Sequence, residues 1–153
     1  LTVLARQIAA AYQASLGPAV DFHQVVSQES KFGTPETVAR IKAGLAAAKV
    51  PVFATVDHAE NARGANEQLR PTTVVTFGNP KVGTKLMQAD QAIGLDLPLK
   101  MLVWEDEMGR TWIGYPNLDA LADRYQLKDR TTIKAMAGFM DGVARNAANV
   151  YAY

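Results

Sequence analysis

This sequence predicts an α+β fold, with a mainly antiparallel sheet of about five strands and helices packed on one face. Three observations carry that prediction. Short runs rich in β-branched residues alternate with amphipathic stretches of helical period. Two of the runs, Leu99–Glu105 and Arg110–Tyr115, are separated only by Asp106-Glu107-Met108-Gly109, a hairpin with glycine where a positive φ is needed. Several strands are also polar at alternate positions, which suits a sheet with one face toward water better than a parallel sheet buried on both.

The elements follow in order. In Leu1–Leu16, Leu1, Leu4, Ile8, Ala11, Tyr12 and Leu16 lie on one helical stripe, and Gly17-Pro18 ends it. Val20, Phe22, Gln24 and Val26 alternate with Asp21, His23 and Val25 as a strand. Thr34-Pro35 reads as an N-cap and a first-turn proline, opening a helix to about Ala48 with Val38, Ile41 and Leu45 inward. Val50–Val56 is the next strand, and Asp57 with Glu60 forms a capping box for a polar helix reaching about Leu69.

Thr72–Phe77 is a strand, Gly78-Asn79-Pro80 a turn, and Thr84 the cap of a helix carrying Leu86, Met87 and Ile93. After the hairpin, Asn117 caps a short helix with Leu118, Leu121 and Tyr125. Ile133, Met136, Met140, Val143, Ala147 and Val150 then step by three and four along a closing helix of about five turns. The division expected is an N-terminal helical extension (1–19), an α+β core (20–127) and a C-terminal helix (128–153) packing on the core or on a dimer partner.

Composition narrows the function. A chain of 153 residues can bury a sizeable single core. The formal charge is +1 with no basic stripe, which argues against nucleic acid, whose phosphates demand one. The absence of cysteine excludes disulfides, thiolate metal sites and a thiol nucleophile. No apolar run reaches membrane-spanning length, so a soluble protein with no membrane partner is expected. The first residue is Leu1 rather than Met; cleavage of a signal peptide or a tag would account for that, and a periplasmic or exported location is expected over a cytoplasmic one.

A specific set of motifs runs through the centre. Val56-Asp57-His58, Leu69-Arg70-Pro71-Thr72, Phe77-Gly78-Asn79-Pro80-Lys81-Val82-Gly83-Thr84-Lys85-Leu86-Met87, Asp96-Leu97-Pro98-Leu99-Lys100 and Val103-Trp104-Glu105-Asp106 follow one another at close range. Together they resemble the family of prokaryotic proteins called domain of unknown function 302, over roughly Phe22 to Leu127. The resemblance implies a compact α+β fold of the TATA-binding-protein-like kind, without its DNA saddle, and a homodimer. It brings no agreed activity, and any cofactor stays unknown.

Candidate chemistry gathers at strand ends. His58, between a strand and a helix and beside Asp57 and Glu60, could serve as general acid or base or as a metal ligand; its structural alternative is a place in the first turn of a capped helix. The Gly78–Thr84 loop, with Asn79, Lys81 and Thr84, could hold an anion on backbone N–H groups, although its spacing is not that of a P-loop. Lys100 and Glu105 are expected as a charge pair, and Asp106-Glu107 as a solvated turn. The five methionines invite a soft-metal or haem site with His58, against ordinary packing on the apolar stripe. No serine elbow is present, and His23 reads as a sheet residue.

The leading expectation is a homodimeric, non-enzymatic protein binding a small ligand in a cleft near His58, Asn79, Lys81, Thr84, Lys100 and Glu105. Its rivals are an enzyme using His58 as acid or base with the Gly78–Thr84 loop as anion site, and a metal or haem carrier.

Overall fold

The computed structural model describes residues 2–8, 20–22, 24–125 and 127–149. His23, Val150 and most of the expected first helix lie outside the described residues; of that helix, 3–8 are helical (α1). The remaining elements are β1 (Val20–Phe22), β2 (Val25–Ser30), α2 (Thr34–Ala47), β3 (Val52–Asp57), α3 (His58–Gly64), β4 (Thr72–Phe77), α4 (Pro80–Ala89), a 3-10 helix (Gln91–Asp96), β5 (Leu99–Glu105), β6 (Thr111–Pro116), α5 (Leu118–Arg124) and α6 (Thr131–Ala148).

The sheet is antiparallel throughout, in the order β1-β2-β6-β5-β4-β3. The α+β architecture is thus the one expected, with the short β1 added at one edge. What reads in the sequence as one strand from Val20 to Val26 is a hairpin: Phe22 pairs with Val25, and Gln24 takes the left-handed conformation (φ 65°).

Register explains the alternating polarity. Phe77 faces Leu99, Val75 faces Met101, Thr73 faces Val103, and Val103 faces Ile113, giving one continuous row on one side. All of these are buried; on this side α2 packs on β4 and β5, and α6 on β2 and β6. Val74, Leu102 and Trp104 occupy the second face, where the Trp104 ring lies over the backbone of Gly114.

The expected stripe of α6 is spent inside the chain's own fold. Ile133, Met136, Met140, Val143 and Ala147 are buried against α2 and the sheet. Its C-terminal carbonyls are held as well. Arg40 of α2 donates from Nε to Ala147 O (2.9 Å) and from Nη2 to Asn146 O (3.1 Å), and Lys31 N donates to Ala148 O. A cation at a helix C-terminus also complements the macrodipole, and the guanidinium stacks 4.3 Å over Phe32. This stripe therefore supplies no reason for a second chain.

Caps mark where local reasoning holds and where it slips. Asp57 accepts from Glu60 N and Asn117 from Ala120 N, as expected. Thr34 does not cap α2: Gly33 holds that position, and the buried Thr34 hydroxyl has no hydrogen-bond partner among the described residues. Thr84 does not cap α4 either. Asn79 does, accepting from Lys81 N, with Pro80 at the first helical position where its missing N–H costs nothing. The polar helix α3 stops at Gly64, short of Leu69.

The β5–β6 turn is built on Asp106 rather than solvated. Its carboxylate accepts from Trp112 Nε1 (2.8 Å), Met108 N (2.9 Å) and Arg110 N (2.9 Å), and the residue is buried. Gly109 supplies the positive φ of 77°. Burial by itself would raise this carboxyl; the hydrogen bonds from Trp112, Arg110 and Met108 and the charge of Arg110 outweigh it and hold the group below its ordinary value.

Candidate functional site

The β4–β5 connection crosses the helix-covered face as α4 and the 3-10 helix, whereas α2 ends at Ala47 and α6 begins only at Thr131. These ends leave part of the sheet face uncovered, and a cavity of about 830 Å³ opens there. Phe77 and Leu99 form its floor, with Val50 and Phe53 beside them. Val82, Met87, Leu97 and Pro98 wall one side, and Met136, Ala135 and Phe139 of α6 another. Asn79, Thr84, Thr131 and Thr132 contribute the polar atoms.

Lys85 is the one charged residue in that lining among the described residues. It is exposed, so it sits where the cavity meets water, and it makes no ion pair among the described residues. The volume and the balance of many apolar walls with few polar groups are those of a small-molecule pocket. With a single titratable group, the described lining brings together no acid–base pair and no nucleophile next to a base.

The residues singled out by sequence separate into two ends of the sheet. In the antiparallel β3–β4 pair, Asp57 faces Thr73 while Val52 faces Phe77. His58, following β3, therefore stands at the opposite end from Asn79, following β4. At about 3.3 Å per residue, five residues of strand part them by roughly 17 Å. The common rim expected for His58, Asn79 and Lys100 does not exist, and with it goes the enzyme built on His58 and the Gly78–Thr84 loop.

Of the expected set, only Asn79 and Thr84 line the cavity. Lys81 is exposed on the first turn of α4. Lys100, paired with Thr76, and Glu105, paired with Thr111, lie toward opposite ends of β5 and on opposite faces, so they form no charge pair. The loop has little to offer an anion: the N–H of Gly78 goes to Pro51 O, Lys81 N to Asn79 Oδ1, and Val82 and Gly83 N to Asn79 O. His58 shares no site with the methionines of the core and cavity, and among the described residues no cluster of His, Asp or Glu suits a metal ion.

Sequence reasoning missed Phe53, Lys85, Leu97 and Phe139. Phe53 carried one usable signal, a large aromatic in a strand that proves to be an edge, where it stays half exposed. Outside the cavity, burial pushes the Tyr115 hydroxyl up to about 12, with Asp141 adding to the shift and Arg145 opposing it. Tyr125 donates to Asp96, which also pairs with Arg124 at 3.2 Å, tying α5 to the 3-10 helix.

Comparison with known proteins agrees with the architecture. The chain matches the family described as Domain of unknown function DUF302 over residues 26–144, a span that continues into α6. Proteins of Brucella suis biovar 1 (strain 1330) and Brucella abortus biovar 1 (strain 9-941), both named fluoride-specific ion channel FluC 1, are 39% identical over 126 residues. That alignment covers 81% of this chain but 50% and 47% of theirs, so the chain spans about half the length of the curated relatives it matches. The crystal structure of an uncharacterized conserved DUF302 protein from Bacillus stearothermophilus superposes with a TM-score of 0.68 at 18% identity, covering 84% of this chain and 98% of that one. It shares the fold.

Proposed function

We propose that this chain, which belongs to the DUF302 family, is a binding module for a small, largely apolar molecule seated between α4, α6 and the sheet. The observation that carries this reading is the cavity of about 830 Å³ with its predominantly apolar lining. Ala135, exposed on the α6 wall, offers a way to close it. Titration with the fluorescent probe N-phenyl-1-naphthylamine should give saturable one-to-one binding, and Ala135→Trp should abolish it while leaving the circular dichroism and melting temperature unchanged. Binding that never saturates, or that survives Ala135→Trp unaltered, overturns the reading.

The expected homodimer belongs to the same proposal. Leu4 and Ile8 of α1 and Val25 of β2 are exposed, and Leu102 and Trp104 are half-buried, which gives apolar surface for a second copy. Sedimentation at micromolar concentration should return the mass of two chains; a single-chain mass removes this part.

The channel activity named for the Brucella relatives we assign to the half of those proteins that this chain does not match. A channel crosses the bilayer on helices or a closed barrel. No described helix here is long and apolar enough to cross, and among the described residues the sheet is open, with edges at β1 and β3. The chain reconstituted into liposomes should give no fluoride efflux above empty vesicles; efflux would refute the assignment.

A further inference from the structure

The walls of the cavity say what kind of molecule fits it, provided that the cavity is a binding site at all, on which this inference rests. We propose that its ligand is an amphiphile with one anionic head, a medium- or long-chain carboxylate, whose tail lies on Met87, Leu97, Met136 and Phe139 and whose head meets Lys85 at the mouth.

The tail follows from the floor and walls. Met87, Leu97 and Phe139 are half-buried apolar residues of the lining, backed by the buried Phe77 and Leu99, and Met87 and Met136 are unbranched, polarizable side chains that adapt to a flexible chain. The head follows from charge. Lys85 is the one ionisable residue of the lining among the described residues, and no described Asp, Glu, His or Arg borders the cavity. An ammonium group with no carboxylate partner among the described residues, at the edge of an apolar surface, favours an anion beside it and disfavours a cation. Asn79, Thr84, Thr131 and Thr132 add hydrogen-bonding groups, which a neutral alcohol could also use, so they do not discriminate.

The test separates head from tail. Dodecanoate, dodecanol and dodecylammonium, each below its micelle concentration, compete with N-phenyl-1-naphthylamine on the wild-type chain, on Lys85→Gln and on Lys85→Glu. On the wild type, dodecanoate should displace the probe about fivefold more strongly than dodecanol, the upper end for a solvent-exposed ion pair, and dodecylammonium should be weakest. Lys85→Gln should bring acid and alcohol together with the alcohol's affinity unmoved, and Lys85→Glu should invert the order. Added salt should shrink the preference of the wild type. If acid and alcohol compete equally on the wild type, the anionic head is wrong and the apolar cavity stands. If neither they nor the probe bind, both readings fall.

Discussion

Replacing Asp106 by alanine removes three hydrogen bonds at once. Its carboxylate receives the Trp112 indole at 2.8 Å and the amides of Met108 and Arg110 at 2.9 Å each. A hydrogen bond to a charged group contributes about 1.5–3 kcal/mol. The two amides lie in a surface turn where water can replace the carboxylate, so the loss is governed by the buried indole N–H left without a partner. Asp106→Ala should therefore cost about 2–3 kcal/mol, which for a chain of this size lowers the melting temperature by roughly 5–10 °C. Asp106→Asn keeps an oxygen for the two amides but turns an N–H toward the indole or leaves it unpaired, and should cost about 1–2 kcal/mol. Urea unfolding followed by far-ultraviolet circular dichroism measures both, with the m-value unchanged. The carboxyl is held below its ordinary value of 3.8, so the folded state binds its proton less readily than the unfolded state. Its stabilisation is then fully present above the unfolded value and is lost as pH falls through the lower, folded one. The gap between wild type and Asp106→Asn should hold at pH 7 and narrow below about 3.8. A loss under about 0.5 kcal/mol for Asp106→Ala would refute the role given to this carboxylate.

Three further outcomes test the architecture. A Cβ at Gly114 would stand 2.7 Å from Trp104 Cζ3 and 3.3 Å from Val25 Cγ1; overpacking of this kind costs about 1–3 kcal/mol, so Gly114→Ala should lower the urea midpoint even though alanine suits a strand better than glycine. Arg40→Met keeps the aliphatic stem but frees the Ala147 and Asn146 carbonyls and the Phe32 ring; a loss of about 1–2 kcal/mol is expected in the same assay. His58→Ala should leave probe affinity within about twofold of the wild type, because His58 stands at the far end of β3 from the cavity.

Local signals carried much of the fold and little of the site. Leu99–Glu105 and Thr72–Phe77 are readable to the residue because turns bound them and β-branched or apolar residues fill them. The three-and-four stepping of α6 is equally direct. The β1–β2 reversal was not readable, since Gln24 adopts a left-handed conformation where neither Gly nor Asn gives it away. In the sequence Thr84 reads as the cap and Gly78-Asn79-Pro80 as a turn; the signal for Asn79 was Pro80, since proline suits a first turn. The burial of Asp106 depends on an indole six residues away that reaches it only once β6 pairs with β5.

The error over the site has a physical origin. In a parallel sheet the C-terminal ends of all strands meet at one edge, and residues following successive strands converge there. In an antiparallel sheet neighbouring strands alternate, and because β3 pairs directly with β4 the residue after β3 and the residue after β4 part. An antiparallel sheet alone leaves open whether two strands joined through a helix are neighbours, and so does not decide the fate of a rim shared by His58 and Asn79. What it could not supply is the cavity, which needs α2, β3, α4, the 3-10 helix and α6 brought together from segments up to about ninety residues apart.

Methionine methyl resonances test the central claim most directly, because the five methionines sample different surroundings. Met87 and Met136 line the cavity, Met101 and Met140 are in the core, and Met108 is exposed on the β5–β6 turn. With methyl-labelled methionine, dodecanoate should shift Met87 and Met136 saturably and leave Met108 unmoved. Shifts centred on Met108, or none at Met87 and Met136 at saturating acid, would contradict binding in the cavity.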